Sequence, residues 1–329
     1  MFINNDDSAT VADVGEFGLI DRIVELVGAA PRPASVQVGP GDDAAVIATP
    51  DGRVVVCTDV LIEGRHFRRD WCSGGDVGHR AAAANLADIA AMGATPTGIT
   101  VGLACPPDLA ISWVDQFATG LRDECALTGA SVIGGDISRA GSIFISVTAI
   151  GDLAGIAPVL RSGAAPGEVV ALCGRVGFAA AGLAILARGF RSGKVYIDAY
   201  RRPEPPYLEG PLAALAGASS MCDVSDGLIQ DLGHIARASG VRIDLDRSAF
   251  EVPSRMGEIA SALGQDPLSW LLGGGDDHAL VATFGSASQV PASWRIIGEV
   301  LPHAQDSAQV TVNGVIPTVT GWDHFAAPT

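Results

Sequence analysis

The chain of 329 residues contains a single lysine, Lys194, although it carries 37 acidic residues and a formal net charge of −16. A phosphate-handling protein of this composition has to rely on arginine and metal ions instead of lysine. The negative charge also leaves no sizeable basic surface for a nucleic acid to bind. We therefore expect no nucleic-acid partner.

Long apolar runs are missing as well, since no stretch approaches the roughly 18–20 apolar residues of a membrane helix. Residues 1–7 are acidic and lack the basic-then-apolar layout of a secretory signal. The six cysteines are far apart and form no CxxC pair, which indicates reduced thiols and neither a disulfide framework nor a zinc site. Together these absences predict a cytoplasmic protein without a membrane partner.

The length and the hydrophobic content of 48% indicate a well-packed chain with room for two domains. Residues 151–167 are rich in Gly, Ala and Pro, so we place the boundary there, with domains at 1–152 and 153–329. Strand-like and helix-like patterns alternate in both halves, which predicts a mixed α+β or α/β fold.

A β-hairpin is predicted near the N-terminus. The β-rich runs 43–48 and 53–59 are separated by Pro50-Asp51-Gly52, a typical turn sequence. Antiparallel pairing of these runs would bring Asp43 and Asp59 to the same edge.

Short acidic motifs beside small residues are the most informative feature of the chain. They read Gly41-Asp42-Asp43, Thr58-Asp59, Asn85-Leu86-Ala87-Asp88, Gly134-Gly135-Asp136, Asp223-Val224-Ser225-Asp226 and Gly274-Gly275-Asp276-Asp277. Carboxylates in such company suit hard cations such as Mg²⁺, which take oxygen ligands. Taken singly, however, the first two motifs are better explained as ordinary turns or caps.

Three of these motifs carry more weight than a turn. Asp88 lies in an Ala-rich helical segment, where a buried carboxylate is explained at least as well by a metal or ligand partner as by a buried helix cap. The glycines of 134–136 follow a predicted strand and would let backbone N–H groups approach a phosphate, although a tight turn is an equal alternative. The motif 223–226 ends a strand and opens a helix, and it holds more polar groups than one N-cap requires.

Taken in order, the motifs resemble the thiamine-monophosphate kinase family of the aminoimidazole-ribonucleotide-synthetase superfamily. The resemblance runs from Gly15-Glu16-Phe17 to residues 321–325, almost the whole chain. It implies an ATP-dependent phosphotransferase that converts thiamine monophosphate to thiamine diphosphate with several Mg²⁺ ions. It also implies an N-terminal α+β domain whose strands form a barrel-like interface in a homodimer. A C-terminal α/β domain would complete the ATP and substrate cleft.

The resemblance also implies a role for individual residues. The metal ligands would be Asp43, Cys57, Thr58, Asp59, Asp88, Asp136, Asp223 and Asp226. ATP would be bound by Gly135, Asp136, Arg161 and Ser225, and thiamine monophosphate by His66, Asp276 and Trp322. The chain departs from the family pattern at Cys57 (commonly Ser), Ile137 (usually Thr) and Asp276 (usually Glu).

The mechanism we expect is direct in-line transfer without a general base, because a phosphate acceptor is already ionised near neutral pH. Two alternatives remain at this stage. One is another ATP-dependent synthetase of the superfamily. Its selenophosphate branch would need a reactive cysteine near the N-terminus and its hydrogenase-maturation branch one at the C-terminus, whereas this chain has Cys57 first and Cys222 last. The other is a non-enzymatic, acidic cation-binding protein, in which Arg161 and Trp322 would have no role.

Overall fold

Residues 9–31, 33–40, 44–303, 309–319 and 321–322 are described by a computed structural model. The chain divides into two compact units, the first comprising Met1–Ile89 and Thr95–Ala154, the second Ala90–Ala94 and Gly155–Thr329. Helices and strands are mixed in both, which confirms the predicted two-domain, mixed fold class. Among the described residues, every helix is too short or too polar to cross a lipid bilayer.

The first unit is built on a four-stranded sheet in the order β3-β6-β4-β5 and a two-stranded sheet β1-β2. Strands β4 and β5 are parallel and are joined through helix α3, whereas β6 pairs antiparallel with both β3 and β4. The elements are α1 (Val11–Val27), β1 (Val36–Val38), β2 (Val46–Ile47), β3 (Val55–Ile62), α2 (Gly74–Ala91), β4 (Thr95–Cys105), α3 (Ile111–Thr128), β5 (Ser131–Arg139) and β6 (Phe144–Asp152).

The two faces of the four-stranded sheet differ in burial. Side chains alternate between the faces of a strand, so Cys57, Asp59 and the buried Leu61 share one face of β3. This face contacts α2, since the Cys57 thiol donates to the carbonyl oxygen of Asn85 at 3.3 Å. The other face presents Val56 and Val60, and both remain exposed. Among the residues that the structure describes, helices therefore cover β3 on one side only.

The predicted hairpin between residues 43–48 and 53–59 is wrong. Strand β2 pairs with β1, where Ile47 faces Val36, and β3 pairs with β6, where Thr58 faces Thr148. The turn itself forms, because the N–H of Gly52 donates to the carbonyl oxygen of Thr49 at 3.0 Å. However, β3 gains a full-length partner in β6, which the two-residue strand β2 cannot match. Asp43 lies outside the described residues.

The second unit contains a six-stranded sheet in the order β12-β9-β11-β7-β10-β8. Its pairs are antiparallel except β12 with β9. The elements are β7 (Val169–Cys173), α4 (Phe178–Ala187), α5 (Lys194–Arg201), α6 (Glu209–Leu215), β8 (Ser220–Val224), α7 (Leu228–Ser239), β9 (Val241–Leu245), α8 (Ser254–Leu263), α9 (Pro267–Gly273), β10 (Ala279–Phe284), β11 (Arg295–Pro302) and β12 (Val310–Val312).

The core of the second unit lies against the central strands β7 and β10. Leu280, Ala282 and Phe284 of β10 are buried there, and Phe284 meets Trp294 edge to face at a centroid distance of 5.8 Å. Strand β8 lies at the edge of the sheet beside β10, and its last residues carry one of the acidic motifs. This edge is where the candidate site of the second unit forms.

Candidate active site

In the first unit, the structure brings the acidic residues of β3 and α2 together. The buried Asn85 of α2 accepts the N–H of Asp59 on its Oδ1 at 3.1 Å and donates from Nδ2 to the carbonyl oxygen of Ala81 at 3.0 Å. Asp88 lies three residues further along α2, and hence on the same face of the helix. The Asn85 side chain thus fixes the position of Asp59 relative to that face.

The Cys57 thiol lies close enough to Asp88 and Asp59 to be affected by both charges. Burial raises its pKa well above the usual range, and the negative charges of Asp88 and Asp59 raise it further. The side chain is therefore a neutral thiol. A neutral thiol is a poor ligand for a hard ion, so only the backbone carbonyl of Cys57 suits Mg²⁺.

Thr58 points away from this cluster. Its hydroxyl bonds to that of Thr148 at 2.8 Å, across the β3–β6 pair on the open face of the sheet. Cys57 and Asp59 point to the opposite face, because neighbouring residues of a strand alternate. If Thr58 shares an ion with Asp59, its backbone carbonyl and not its hydroxyl is the available ligand.

His66 lies in the turn that follows β3. Its Nδ1 accepts the N–H of Ile62 at 2.9 Å, so the proton of the neutral ring is on Nε2. The ring is half-buried. This tautomer makes Nε2 a hydrogen-bond donor, the type of group that binds a phosphate oxygen.

The motif Gly134-Gly135-Asp136 is not a strand-ending turn but lies inside β5, where Asp136 pairs with Gly102 of β4. A Cβ atom on Gly135 would lie 2.2 Å from the carbonyl oxygen of Val101, so glycine is needed there by the sheet itself. Asp136 is exposed. Strands β3 and β5 are the two edges of the sheet, about 14 Å apart at the usual strand spacing. Within one chain, Asp136 and Asp59 are therefore not neighbours.

In the second unit, two acidic motifs that are fifty residues apart in sequence meet at the end of β8. The N–H of Asp276 donates to the carbonyl oxygen of Ser225 at 2.8 Å, and the N–H of His278 donates to that of Val224 at 3.1 Å. A Cβ atom on Gly275 would lie 2.1 Å from the Ser225 carbonyl oxygen, so only glycine permits this approach. Asp276, Ser225 and Asp226 are thereby held within one loop cluster.

Three further residues, Asp231, Asp277 and His278, support this cluster, although the sequence motifs assigned none of them a role. The buried Asp223 bonds to Nδ1 of His278 at 3.0 Å, and Asp231 accepts the N–H groups of Asp226 and Gly227 at 3.1 and 3.0 Å. Burial, followed by the charges of Asp223 and Asp226, raises the pKa of Asp231 to about 8. The third is Asp277, which is buried beside Asp276. The sequence offers one signal for all three, which is that each is a polar residue inside an acidic motif or shortly after one.

Trp322 is attached to the same cluster through its backbone. Its N–H donates to the carbonyl oxygen of Asp226 at 2.8 Å, and its own carbonyl oxygen accepts Nε2 of Gln230 at 2.8 Å. The side chain is 54% exposed, so it is not a core residue of the described chain. Arg161 is also exposed, and its positive charge lowers the pKa of His234 after the larger effect of burial. The structure therefore places Trp322 beside Asp226, with Arg161 near the following helix α7.

Among the described residues, no three His, Cys, Asp or Glu side chains converge tightly enough to hold a metal ion by themselves. Asp43 is outside that set. The described part of the chain contains two pairs of predicted carboxylate ligands. The first unit has Asp59 and Asp88, and the second has Asp223 and Asp226. The predicted ligand set stays a prediction.

Both halves of the chain match known protein domains. Residues 41–153 match the family model for the AIR synthase related protein, N-terminal domain, and residues 165–310 match that for its C-terminal domain. The thiamine-monophosphate kinase of Mycobacterium tuberculosis is 46% identical over 324 residues, which cover 98% of this chain and 95% of the relative. The chain belongs to the thiamine-monophosphate kinase family.

Solved structures agree with the family assignment. AaThiL complexed with AMPPCP and TMP superposes with a TM-score of 0.76 at 29% identity, over 95% of this chain and 98% of that chain. The hydrogenase maturation protein HypE superposes with a TM-score of 0.74 over 94% of this chain and 98% of its own. It is only 18% identical, so that likeness shows a shared fold and nothing more. The relation to thiamine-monophosphate kinases, in contrast, extends along both domains.

Proposed function

We propose that this chain transfers the γ-phosphoryl group of ATP to thiamine monophosphate and releases thiamine diphosphate and ADP. The observation that carries the proposal is the 46% identity to a thiamine-monophosphate kinase over 98% of the chain. The bound molecules of AaThiL support the same pair of substrates, since AMPPCP is an ATP analogue whose β,γ-bridge is a methylene group.

Transfer is direct and in line. The acceptor is a phosphate, which is largely ionised near neutral pH, so no residue has to remove a proton from it. The obstacle is repulsion between two anionic groups, and the chain must hold them together in a productive orientation. We therefore assign no catalytic base. Asp59, Asp88 and Asp226 have structural and electrostatic roles.

Mg²⁺ fits the donor set of the chain. The candidate ligands are carboxylates and backbone carbonyls, while the thiol that lies among them is neutral, which favours a hard ion. Mg²⁺ is commonly bound by one or two carboxylates together with substrate phosphates and water, so a compact three-residue protein site is not required. When bound, Mg²⁺ supplies positive charge that offsets the repulsion between the phosphates. The proposed ligands are Asp43, Asp59, Asp88, Asp136, Asp223 and Asp226, with the backbone carbonyls of Cys57 and Thr58.

The substrate contacts are proposals of the same kind. ATP would be bound by Gly135, Asp136, Arg161 and Ser225. The phosphate of thiamine monophosphate would accept a hydrogen bond from His66, whose Nε2 carries the proton. Asp276 and the exposed Trp322 would meet the cationic, aromatic thiamine, for which Trp is the best cation–π partner. We assign metal and ATP binding with dimerisation to residues 1–152, and completion of the ATP and substrate site to residues 153–329.

A homodimer is supported by the open face of the first-unit sheet. Val56 and Val60 of β3 and Phe144 of β6 are exposed on the same face, because residues opposite each other in an antiparallel pair point the same way. Exposed apolar side chains grouped on a sheet face mark an interaction surface. We propose that two such faces close on each other in a twofold, barrel-like interface. ATP use is compatible with the proposed cytoplasmic location.

The assay that tests the function uses purified protein with ATP, MgCl₂ and thiamine monophosphate, and follows thiamine diphosphate by chromatography. Product should form only when all three are present and should disappear when EDTA exceeds the metal. Unphosphorylated thiamine serves as the matched acceptor control and should be a poor substrate, since it lacks the ionised phosphate. Absence of thiamine diphosphate from folded protein at saturating substrates would refute the proposal.

A further inference from the structure

Asp277 directly follows the proposed substrate residue Asp276 but faces the protein interior. It is only 5% exposed, and its Oδ1 accepts the N–H of Ala179 at 3.0 Å. Helix α4 starts at Phe178, and the preceding N-cap residue is Gly177, which has no side chain to bond to the helix. Asp277 therefore supplies the missing cap from 98 residues away.

The residues on both sides of Asp277 are held in an unfavourable backbone conformation. Asp276 has φ 67° and His278 has φ 51°, and neither is glycine. The left-handed region is unfavourable for an L-residue, so such residues persist only where their surroundings fix them. Here the N–H groups of Asp276 and His278 bond to the carbonyl oxygens at the end of β8. The Asp277 cap is the third attachment, and it lies between the other two.

We propose that Asp277 is a positioning residue for the phosphoryl-transfer reaction: its bond to the start of α4 holds the strained segment 275–278, and thereby fixes the orientation of Asp276 toward thiamine monophosphate. The inference rests on the proposed function only for the identity of the substrate. The attachment of the segment to α4 follows from the geometry.

The two oxygens of the Asp277 carboxyl group differ in their contacts, and Oδ1 is the one that bonds to α4. Among the described residues, Asp277 Oδ2 is buried without a hydrogen-bond partner. Burial raises the pKa of Asp277 to about 7, against the opposing effects of the Ala179 N–H and of Arg175. An asparagine would keep Oδ1 as the acceptor without a buried charge. The matched pair Asp277→Asn and Asp277→Ala therefore separates the cap from the charge.

The experiment measures steady-state kinetics and hydrogen exchange on the full chain. We expect Asp277→Ala to raise the KM for thiamine monophosphate by about tenfold or more while the KM for ATP stays within about twofold. Asp277→Asn should restore the wild-type KM to within about threefold. Asp277→Ser, which has a shorter acceptor, should fall between them and replaces the alanine variant if that does not fold.

Hydrogen exchange makes the outcome independent of the substrate. The amides of Asp276 and His278 should exchange at least about tenfold faster in Asp277→Ala and at the wild-type rate in Asp277→Asn. Asp246→Ala is the control, because Asp246 caps a short helix by accepting the N–H of Ser248 at 2.8 Å and belongs to no proposed site. It should alter neither readout.

Two results would overturn the inference. One is unchanged exchange of both amides in Asp277→Ala. The other is an equal rise of both KM values, as expected from general destabilisation. If the wild-type protein itself makes no thiamine diphosphate, the proposed function fails, while the exchange rates still decide whether Asp277 holds the segment.

Discussion

The structure fixes the backbone of Asp59, and its side chain is a candidate metal ligand. Its N–H is bonded to the buried Asn85, so the strand cannot shift without breaking that contact. The neighbouring Cys57 is neutral, and the Thr58 hydroxyl bonds to that of Thr148 on the other face of the sheet. Asp59 is therefore the charged group of its motif. The proposed function therefore depends on its charge more than on its shape.

We predict that Asp59→Asn lowers turnover by at least about a hundredfold, because it keeps the shape but removes a negative charge next to the transferring phosphates. Asp136→Asn should behave alike. Both variants should unfold near the wild-type temperature, since asparagine keeps the size and shape of each side chain and Asp136 is exposed. Kinetics at saturating Mg²⁺ together with thermal unfolding provide the measurement. The exposed Asp108→Asn is the control, and near-normal turnover of both variants would rule out the metal assignment.

At the residue scale, the acidic motifs could be read from the sequence but their supports could not. Ser225, Asp226 and Asp276 belong to acidic sequence motifs, and the structure places all three in one loop cluster. No role for Asp231 or Asp277 could be read from the sequence, because their roles depend on which backbone N–H groups the fold brings to them. Hydrogen bonds between distant segments leave no local sequence pattern.

At the scale of elements, the sequence predicts segments with strong periodicity and clear end signals. The helical pattern of the sequence predicts a helix over Ile111–Thr128, which is α3 and ends at Gly129 in the left-handed conformation, and the β-type run Val241–Leu245 predicts β9. Short helices such as α5 and α8 have no comparable sequence signal, since they hold only two or three turns and depend on their neighbours. The wrong hairpin has the same origin, because strand pairing is decided by the whole sheet.

Asn85 is the connection between two of these elements, and its removal tests their coupling. Asn85→Ala leaves the N–H of Asp59 without a partner and also removes the bond to the Ala81 carbonyl. We expect the free energy of unfolding to fall by about 1–3 kcal/mol and turnover to fall with it. Urea unfolding and kinetics on the same preparation measure both. If stability is unchanged while turnover falls, Asn85 contacts a substrate and is not merely a support of β3.

At the scale of the whole molecule, the four-stranded sheet has exposed apolar side chains on one face. One face of β3 contacts α2 through Cys57 and Asp59, while the other presents exposed valines. Sheets normally bury at least one face and seldom leave an apolar one in water. The second unit has its own core around β10, so the open face does not reflect a general lack of packing.

A charged residue on this face should therefore keep the protein monomeric. Val56 is 60% exposed on β3, and a glutamate there would be tolerated by a single chain but would be buried unpaired in a dimer interface. We expect Val56→Glu to halve the mass measured by light scattering, with little change in circular dichroism. Val195→Glu is the matched control, because Val195 is also 60% exposed but lies on α5 of the second unit. It should leave the mass unchanged. A dimer that survives Val56→Glu and Val60→Glu together would show that the subunits meet elsewhere, and a wild-type monomer would exclude the interface altogether.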